Sequence, residues 1–337
     1  MFSHRNFHRR NLHRALLVGV CFISLLLGCG NPAPKVYHVG VMSGLDFFSG
    51  SLDGFKAKMT ELGYQEGKNI TYDVQRTNVD PPKEQAILKK FVDDKVDLIF
   101  SYPTEVSLAA KAAVKGSNVQ VVFADAVTDG TNLVDSVPKP GGNITGVRFP
   151  GPALAVKRLE ILHELAPNAK RIWVTFLKGY PIVEPELEVL RPAAASMGLT
   201  LVEVPATGIP DIQADLDARE KAADIGIDAM LIIPEPLTVS IEPFAVFAKF
   251  AARHDIPVGG TDLDTGEYRS LFGLTPDSVT SGQQAALLAD KIFKGTPAGT
   301  IPVVTPENVF VIDYRVAQGL GLSVGDGLLQ MANQVIR

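Results

Sequence analysis

The chain is poor in the residues that most enzymes depend on. Its two cysteines, Cys21 and Cys29, both fall in the first 29 of 337 residues, so no disulfide framework can staple the rest. After residue 35 only His38, His163 and His254 remain, at no metal-ligand spacing, which excludes the common zinc sites. No nucleophile elbow is present. The acids of ELAPNAK and EPELEV belong on solvated faces rather than in a facing catalytic pair. The stretch GLGLSVG (319–325) has no strand before it and no βαβ unit after it, so it reads as a helix end and not a dinucleotide loop. The formal net charge is -5, with no basic excess for nucleic acid and no polybasic patch for lipid headgroups. Long hydrophobic runs are missing too. The longest, Ala15 to Leu27, is 13 residues, where a spanning helix needs about 20. These absences leave no cofactor, no metal and no catalytic constellation, and a non-enzymatic function is expected.

What is present begins with compartment. Arg5, Arg9, Arg10 and Arg14 precede the apolar run with no acid among them, and the run ends at Gly28-Cys29, the pattern of a secretory signal peptide over residues 1–28. Leu26-Leu27-Gly28-Cys29 resembles a bacterial lipobox, with Cys29 as the lipidated residue and residues 29–35 as a tether. The residues after Arg9-Arg10 fit a twin-arginine signal poorly, so ordinary secretion is the reading. The alternative is that Cys29 is merely a small residue beside an ordinary cleavage site. Losing the four arginines takes the mature chain to about -9. The expected location is the periplasmic face of the cell envelope, held to the membrane by the lipid anchor alone.

From residue 36 one unit repeats, a short β-branched run followed by an amphipathic or Ala-rich stretch. Strands are expected at 36–42, 69–75, 96–101, 119–124, 171–176, 199–204, 228–234 and 256–260. Several are apolar throughout, as suits strands buried on both faces of a parallel sheet. Helices are expected at 52–62, 82–92, 106–114, 153–165, 188–197, 212–223 and 242–252. The alternation means an α/β fold. About 300 residues exceed what one core usually fills, so two domains are expected, with the loop 137–147 as the clearest break.

Six phrases, GYQEGKNI (63–70), DLIFSYPT (97–104), PGGNITGV (140–147), KRLEILHELAPNAKRIWV (157–174), IFKGTPAGTIPV (292–303) and LLQMANQVIR (328–337), together resemble the ABC transporter substrate-binding protein family, some of whose members take up tryptophan or other aromatic amino acids. The resemblance spans the mature chain. It implies a type I periplasmic-binding fold of two Rossmann-like lobes with parallel sheets, joined by crossing segments. Residues 36–147 and about 270–298 would form lobe 1, and 148–269 and about 299–337 lobe 2. PGGNITGV would carry the first crossing, with Gly141-Gly142 at positive φ. The chain would recross near Tyr268 to Leu274 and Thr296 to Pro302. The partners implied are a small, aromatic or carboxylate-bearing solute and an ABC permease in the inner membrane, with the protein a monomer. A sensory lipoprotein presenting its closed form to a receptor is the alternative.

Open parallel sheets bind ligands beyond the carboxyl ends of their strands. That rule selects Ser43, Gly44, Asp46 and Phe47; Tyr102 and Thr104; and Asp125, Val127 and Thr128 from the first half of the chain. From the second half it selects Tyr180, Glu235, Thr261 and Asp262. Thr104 stands where a helix begins, so its hydroxyl can cap while free amides behind it meet a carboxylate; a plain cap with nothing bound is equally consistent. Ser43 and Gly44 would let backbone approach the same anion. Phe47, Tyr102 and Tyr180 could clamp a flat ligand, or pack under their own loops. Asp125, Glu235 and Asp262 suit a ligand ammonium, or serve as caps and solvated acids. Where amino-acid-binding members of the family resemble one another in an Asp-Asn turn, this chain reads Pro234-Glu235-Pro236-Leu237.

Overall fold

The computed structural model describes residues 35–337. The expected signal peptide, the expected lipidation site Cys29 and the expected tether up to residue 34 lie outside the described residues. Two mainly parallel sheets organise the chain. The first has the order β2-β1-β3-β4-β5, formed by β1 (Tyr37–Ser43), β2 (Ile70–Arg76), β3 (Leu98–Tyr102), β4 (Gln120–Ala126) and β5 (Ile144–Arg148). All its pairs are parallel, with Val41 opposite both Val74 and Phe100. The central strand β3, LIFSY, is buried at every position, as its unbroken apolar run requires, whereas the edge strand β2 is mostly half-buried.

The second sheet has the order β12-β11-β10-β9-β8-β6-β7. Its strands are β6 (Arg171–Leu177), β7 (Thr200–Ala206), β8 (Ala229–Leu231), β9 (Val258–Gly260), β10 (Phe272–Pro276), β11 (Asn308–Asp313) and β12 (Gln334–Ile336). Only the β10–β11 pair is antiparallel. The helices are α1 (Gly50–Glu61), α2 (Pro81–Asp93), α3 (Thr104–Ala113), α4 (Gly151–Leu165), α5 (Val183–Ser196), α6 (Ile209–Glu220), α7 (Ile241–Arg253), α8 (Ser278–Phe293), α9 (Tyr314–Gly319) and α10 (Asp326–Met331). Their starts follow local chemistry. The Asp80 carboxylate accepts from the Lys83 amide at 3.1 Å just ahead of Pro81-Pro82, and Asp277 accepts from the Thr280 amide at 2.8 Å.

Three passages join the sheets, each a little later than the sequence suggested. Strand β5 keeps residues 144–148 in the first sheet, so the chain leaves it at Phe149-Pro150; Gly141 and Gly142 do have positive φ, 75° and 53°, but in the turn that enters β5. Residues 272–276 form β10 of the second sheet, so the return is at Pro276-Asp277 and not at 268–274. Helix α8 then packs on α1 of the first sheet. A Cβ on Gly54 would lie 2.0 Å from the Val279 carbonyl oxygen and one on Gly282 2.0 Å from that of Ser51, so only glycine permits this approach. The last passage follows Val304, which still bridges to Val147. Hence 270–276 lie with the second sheet and 299–304 with the first, the reverse of the sequence expectation, because backbone pairing extends to the end of each apolar run.

Two expected strands shrink to three residues each, β8 and β9, and α5 begins five residues before its expected start. His38 lies on β1, His163 on α4 and His254 at the end of α7. No group of three His, Cys, Asp or Glu among the described residues could hold a metal ion, and no described helix is long and apolar enough to cross a membrane.

Candidate ligand-binding site

The carboxyl ends of β1, β3 and β4 face those of β6, β8 and β9 across a cleft. On the first-lobe side, a cis Tyr102–Pro103 bond leads into α3, whose first i→i−4 bond runs from the Ser107 amide to the Pro103 carbonyl at 3.3 Å. The amides of Thr104, Glu105 and Val106 precede it and form the electropositive end of the helix. Thr104 is the first helical residue rather than the cap. Its buried hydroxyl accepts from the Val127 amide at 3.0 Å, so it ties α3 to the end of β4.

Asp125 has φ 50°, which turns its carboxyl inward. It is 3 % exposed, and one oxygen accepts from the Ser51 hydroxyl. Burial, opposed by hydrogen bonds from the hydroxyls of Ser51, Ser281 and Ser278, pushes its pKa up to about 7. Ser43 and Gly44 contribute less than expected. The Gly44 amide is bonded to the Tyr102 carbonyl at 2.8 Å, and a Cβ there would lie 2.5 Å from Glu105 Oε1. The Ser43 carbonyl accepts from the Thr77 amide at 2.9 Å. Tyr102 ends β3 instead of standing in a loop. Its buried ring lies 5.3 Å from that of Phe100, in the core.

On the second-lobe side the acids are already engaged. Glu235 is buried and folds back on its own turn, accepting from the Leu237 amide at 2.9 Å and the Thr238 amide at 3.1 Å; burial outweighs these bonds and holds its pKa near 7. Asp262 pairs with Arg269 at 2.8 Å. Thr261 is fully buried with a free hydroxyl, and Thr128 and Val127 are buried beyond β4. Tyr180 crosses the cleft and donates its hydroxyl to Glu105.

Two compartments result. The inner one, about 10 Å³, brings together Phe48, Thr104, Asp125, Phe149 and Tyr180. The outer one, about 810 Å³, lies between Asp46 and Phe47 on one wall and Ile241, Glu242 and Asp262 on the other. Phe47 and Ile241 are exposed there, 37 % and 53 %. Sequence reasoning missed Glu105, Phe48 and Phe149. Glu105 directly follows a selected residue, and Phe149 directly follows β5.

Behind the inner compartment lies a charge at the joint between the lobes. Arg158 of α4 is buried; its Nε donates to the Leu274 carbonyl at 2.9 Å and its guanidinium lies 5.6 Å from the Phe149 ring centre, so it links the first passage to β10, the strand that leads into the second. Burial lowers its pKa to about 10 and raises that of the fully buried Glu186 to about 7, although each opposes the shift of the other.

The model of the ABC transporter substrate-binding protein family matches residues 43–336. The chain belongs to that family. It is 28% identical over 318 residues to a tyrosine-binding protein of Clostridioides difficile, with 88% of each chain covered. Among solved structures it is similar to the L-Trp complex of an ABC domain from Streptococcus pneumoniae, with TM-score 0.79, 22% identity and coverage of 90% of this chain and 100% of that one. A conserved domain protein from Vibrio cholerae has TM-score 0.78, 25% identity and coverage of 89% and 100%. The substrate-binding protein thus has the periplasmic-binding type I fold, with two parallel-sheet lobes around a cleft.

Proposed function

We propose that this substrate-binding protein is the extracytoplasmic solute-binding component of an ABC importer. It takes an aromatic amino acid, or a similar small zwitterion with an apolar body, between its lobes by hinge closure and delivers it to a permease in the inner membrane. Lipidation at Cys29 holds it to the envelope. The observation that carries this reading is the convergence, on one chamber between the lobes, of the α3 N-terminus and the buried carboxyl of Asp125. The helix start suits a carboxylate, the aspartate an ammonium, and Phe48, Phe149 and Tyr180 an apolar ring. The tyrosine and tryptophan named with two relatives agree with that combination.

Magnitudes are adequate. A carboxylate at a helix start contributes about 0.3 to 2 kcal/mol, a charge-assisted hydrogen bond about 1.5 to 3 and a buried aromatic side chain about 1.5 to 3. Several such contacts together approach the roughly 8 kcal/mol of micromolar affinity. The test is native mass spectrometry of the purified protein, followed by thermal-shift titration with L-tyrosine, L-tryptophan and a panel of other amino and organic acids. Saturable stabilisation by an aromatic amino acid, with compaction in solution scattering, is expected. No binding across the panel and no ligand-dependent compaction would overturn the reading.

A further inference from the structure

We propose that the hydrogen bond from Tyr180 to Glu105 is a latch that competes with the solute for the cleft, so that these two residues set the affinity of the protein for what it carries. The inference rests on the reading above that the solute occupies the inner compartment.

Tyr180 stands in the loop between β6 and α5, in lobe 2, and Glu105 in the first turn of α3, in lobe 1. Their bond is the one side-chain hydrogen bond joining the two cleft faces among the described residues. With it formed, the inner compartment measures about 10 Å³, room for about one water. A solute ring and the latch therefore cannot share that space. Nor is the latched arrangement fully satisfied. Glu105 Oε1 is buried without a partner, and an unmet buried acceptor costs free energy that an entering donor restores. The charges near the Tyr180 hydroxyl are those of Glu105, Glu235 and Glu84, all acids. The hydroxyl proton is thus shared with one carboxylate, and no cation fixes that carboxylate in place. Gly44 makes the reach possible, because a Cβ there would stand 2.5 Å from Glu105 Oε1.

A protein that spends most of its time latched binds with an affinity reduced by the fraction of molecules that are open. Tyr180→Phe removes the hydroxyl and keeps the ring. Gly44→Ala presses on Glu105 from within lobe 1 and leaves Tyr180 untouched. The experiment is solution scattering on the unliganded wild type and both variants, followed by titration calorimetry and stopped-flow association with L-tryptophan and L-tyrosine as probes. Both unliganded variants should be more expanded than wild type. Tyr180→Phe should bind the productive probe about tenfold tighter, mainly through faster association. Identical scattering of wild type and both variants would overturn the latch. So would weaker binding by Tyr180→Phe, since the bond would then belong to the liganded state. If neither probe binds wild type, the solute assignment fails by itself, and the scattering still decides whether the latch exists.

Discussion

Asp125 in lobe 1 and Glu235 in lobe 2 stand at or just beyond the carboxyl ends of parallel strands, both buried and both with pKa values pushed up to about 7. They are nonetheless used differently. Glu235 is consumed by the amides of its own turn, while Asp125 lines the chamber and is held by serine hydroxyls instead of backbone amides. The same contrast runs through the neighbouring groups. Lobe 1 offers the start of α3, which no side chain caps; lobe 2 offers Asp262, already paired with Arg269, and Tyr180, already bonded to Glu105. In our reading lobe 1 recognises the polar end of the solute and lobe 2 covers it. A buried acid identifies a ligand site only when its lone pairs are not already used by the backbone.

The largest expected effect that would sharpen this contrast is on affinity. Asp125→Asn should weaken binding of the productive amino acid by about 10- to 100-fold by calorimetry, since a charge-assisted hydrogen bond contributes about 1.5 to 3 kcal/mol. An unchanged affinity would remove lobe 1 as the ammonium partner.

Next is stability. Glu235→Ala leaves the Leu237 and Thr238 amides without their acceptor and should cost about 1 to 3 kcal/mol in denaturant unfolding. The folded fraction should still bind within about twofold of wild type. A large loss of affinity without a loss of stability would return Glu235 to the ligand.

The pH dependence of stability comes third. Glu105, Asp125, Glu186 and Glu235 have folded pKa values near 7, raised by burial, against about 4 in an unfolded chain. Between those values the folded state holds more protons than the unfolded one, so stability falls as pH rises from about 4 to 7. Asp228 and Glu203, held below the usual carboxylate range chiefly by hydrogen bonds to Arg171 and Arg191 against opposing burial, act in the other sense only as the pH drops below about 4. The melting temperature should therefore be higher near pH 5 than at pH 8, and a rise toward pH 8 would contradict this account of the buried acids. The smallest effect is at the rim, where Asp262→Asn should change affinity by no more than about twofold, because the carboxylate is spent on Arg269 at a partly exposed pair.

Much of the fold could be read from the sequence, because the strands buried on both faces leave unbroken apolar runs such as VDLIFS and VQVVFA. Helix α8 could not. It meets α1 through Gly54 and Gly282, and small residues in close contact leave no apolar stripe to recognise. Strands β10 to β12 escaped for a related reason: they are short, and β10 ends at one passage between the sheets while β11 follows another, with positions that depend on backbone pairing. At the cleft, the strand-end rule selected loops that the structure brings to one cleft, but residue type could not distinguish a carboxylate held by side chains from one bonded to its own turn. Thr104 illustrates the limit. Its position at the start of a helix was legible, while its use as an acceptor for Val127, 23 residues away, depends on how β4 ends.

The most direct test of the division between the lobes is calorimetric titration of the productive amino acid into Asp125→Asn and Glu235→Gln proteins, both verified as folded. The account predicts a loss of at least about tenfold for Asp125→Asn and near-wild-type affinity for Glu235→Gln. The opposite order, with Glu235 carrying the affinity and Asp125 dispensable, would contradict it.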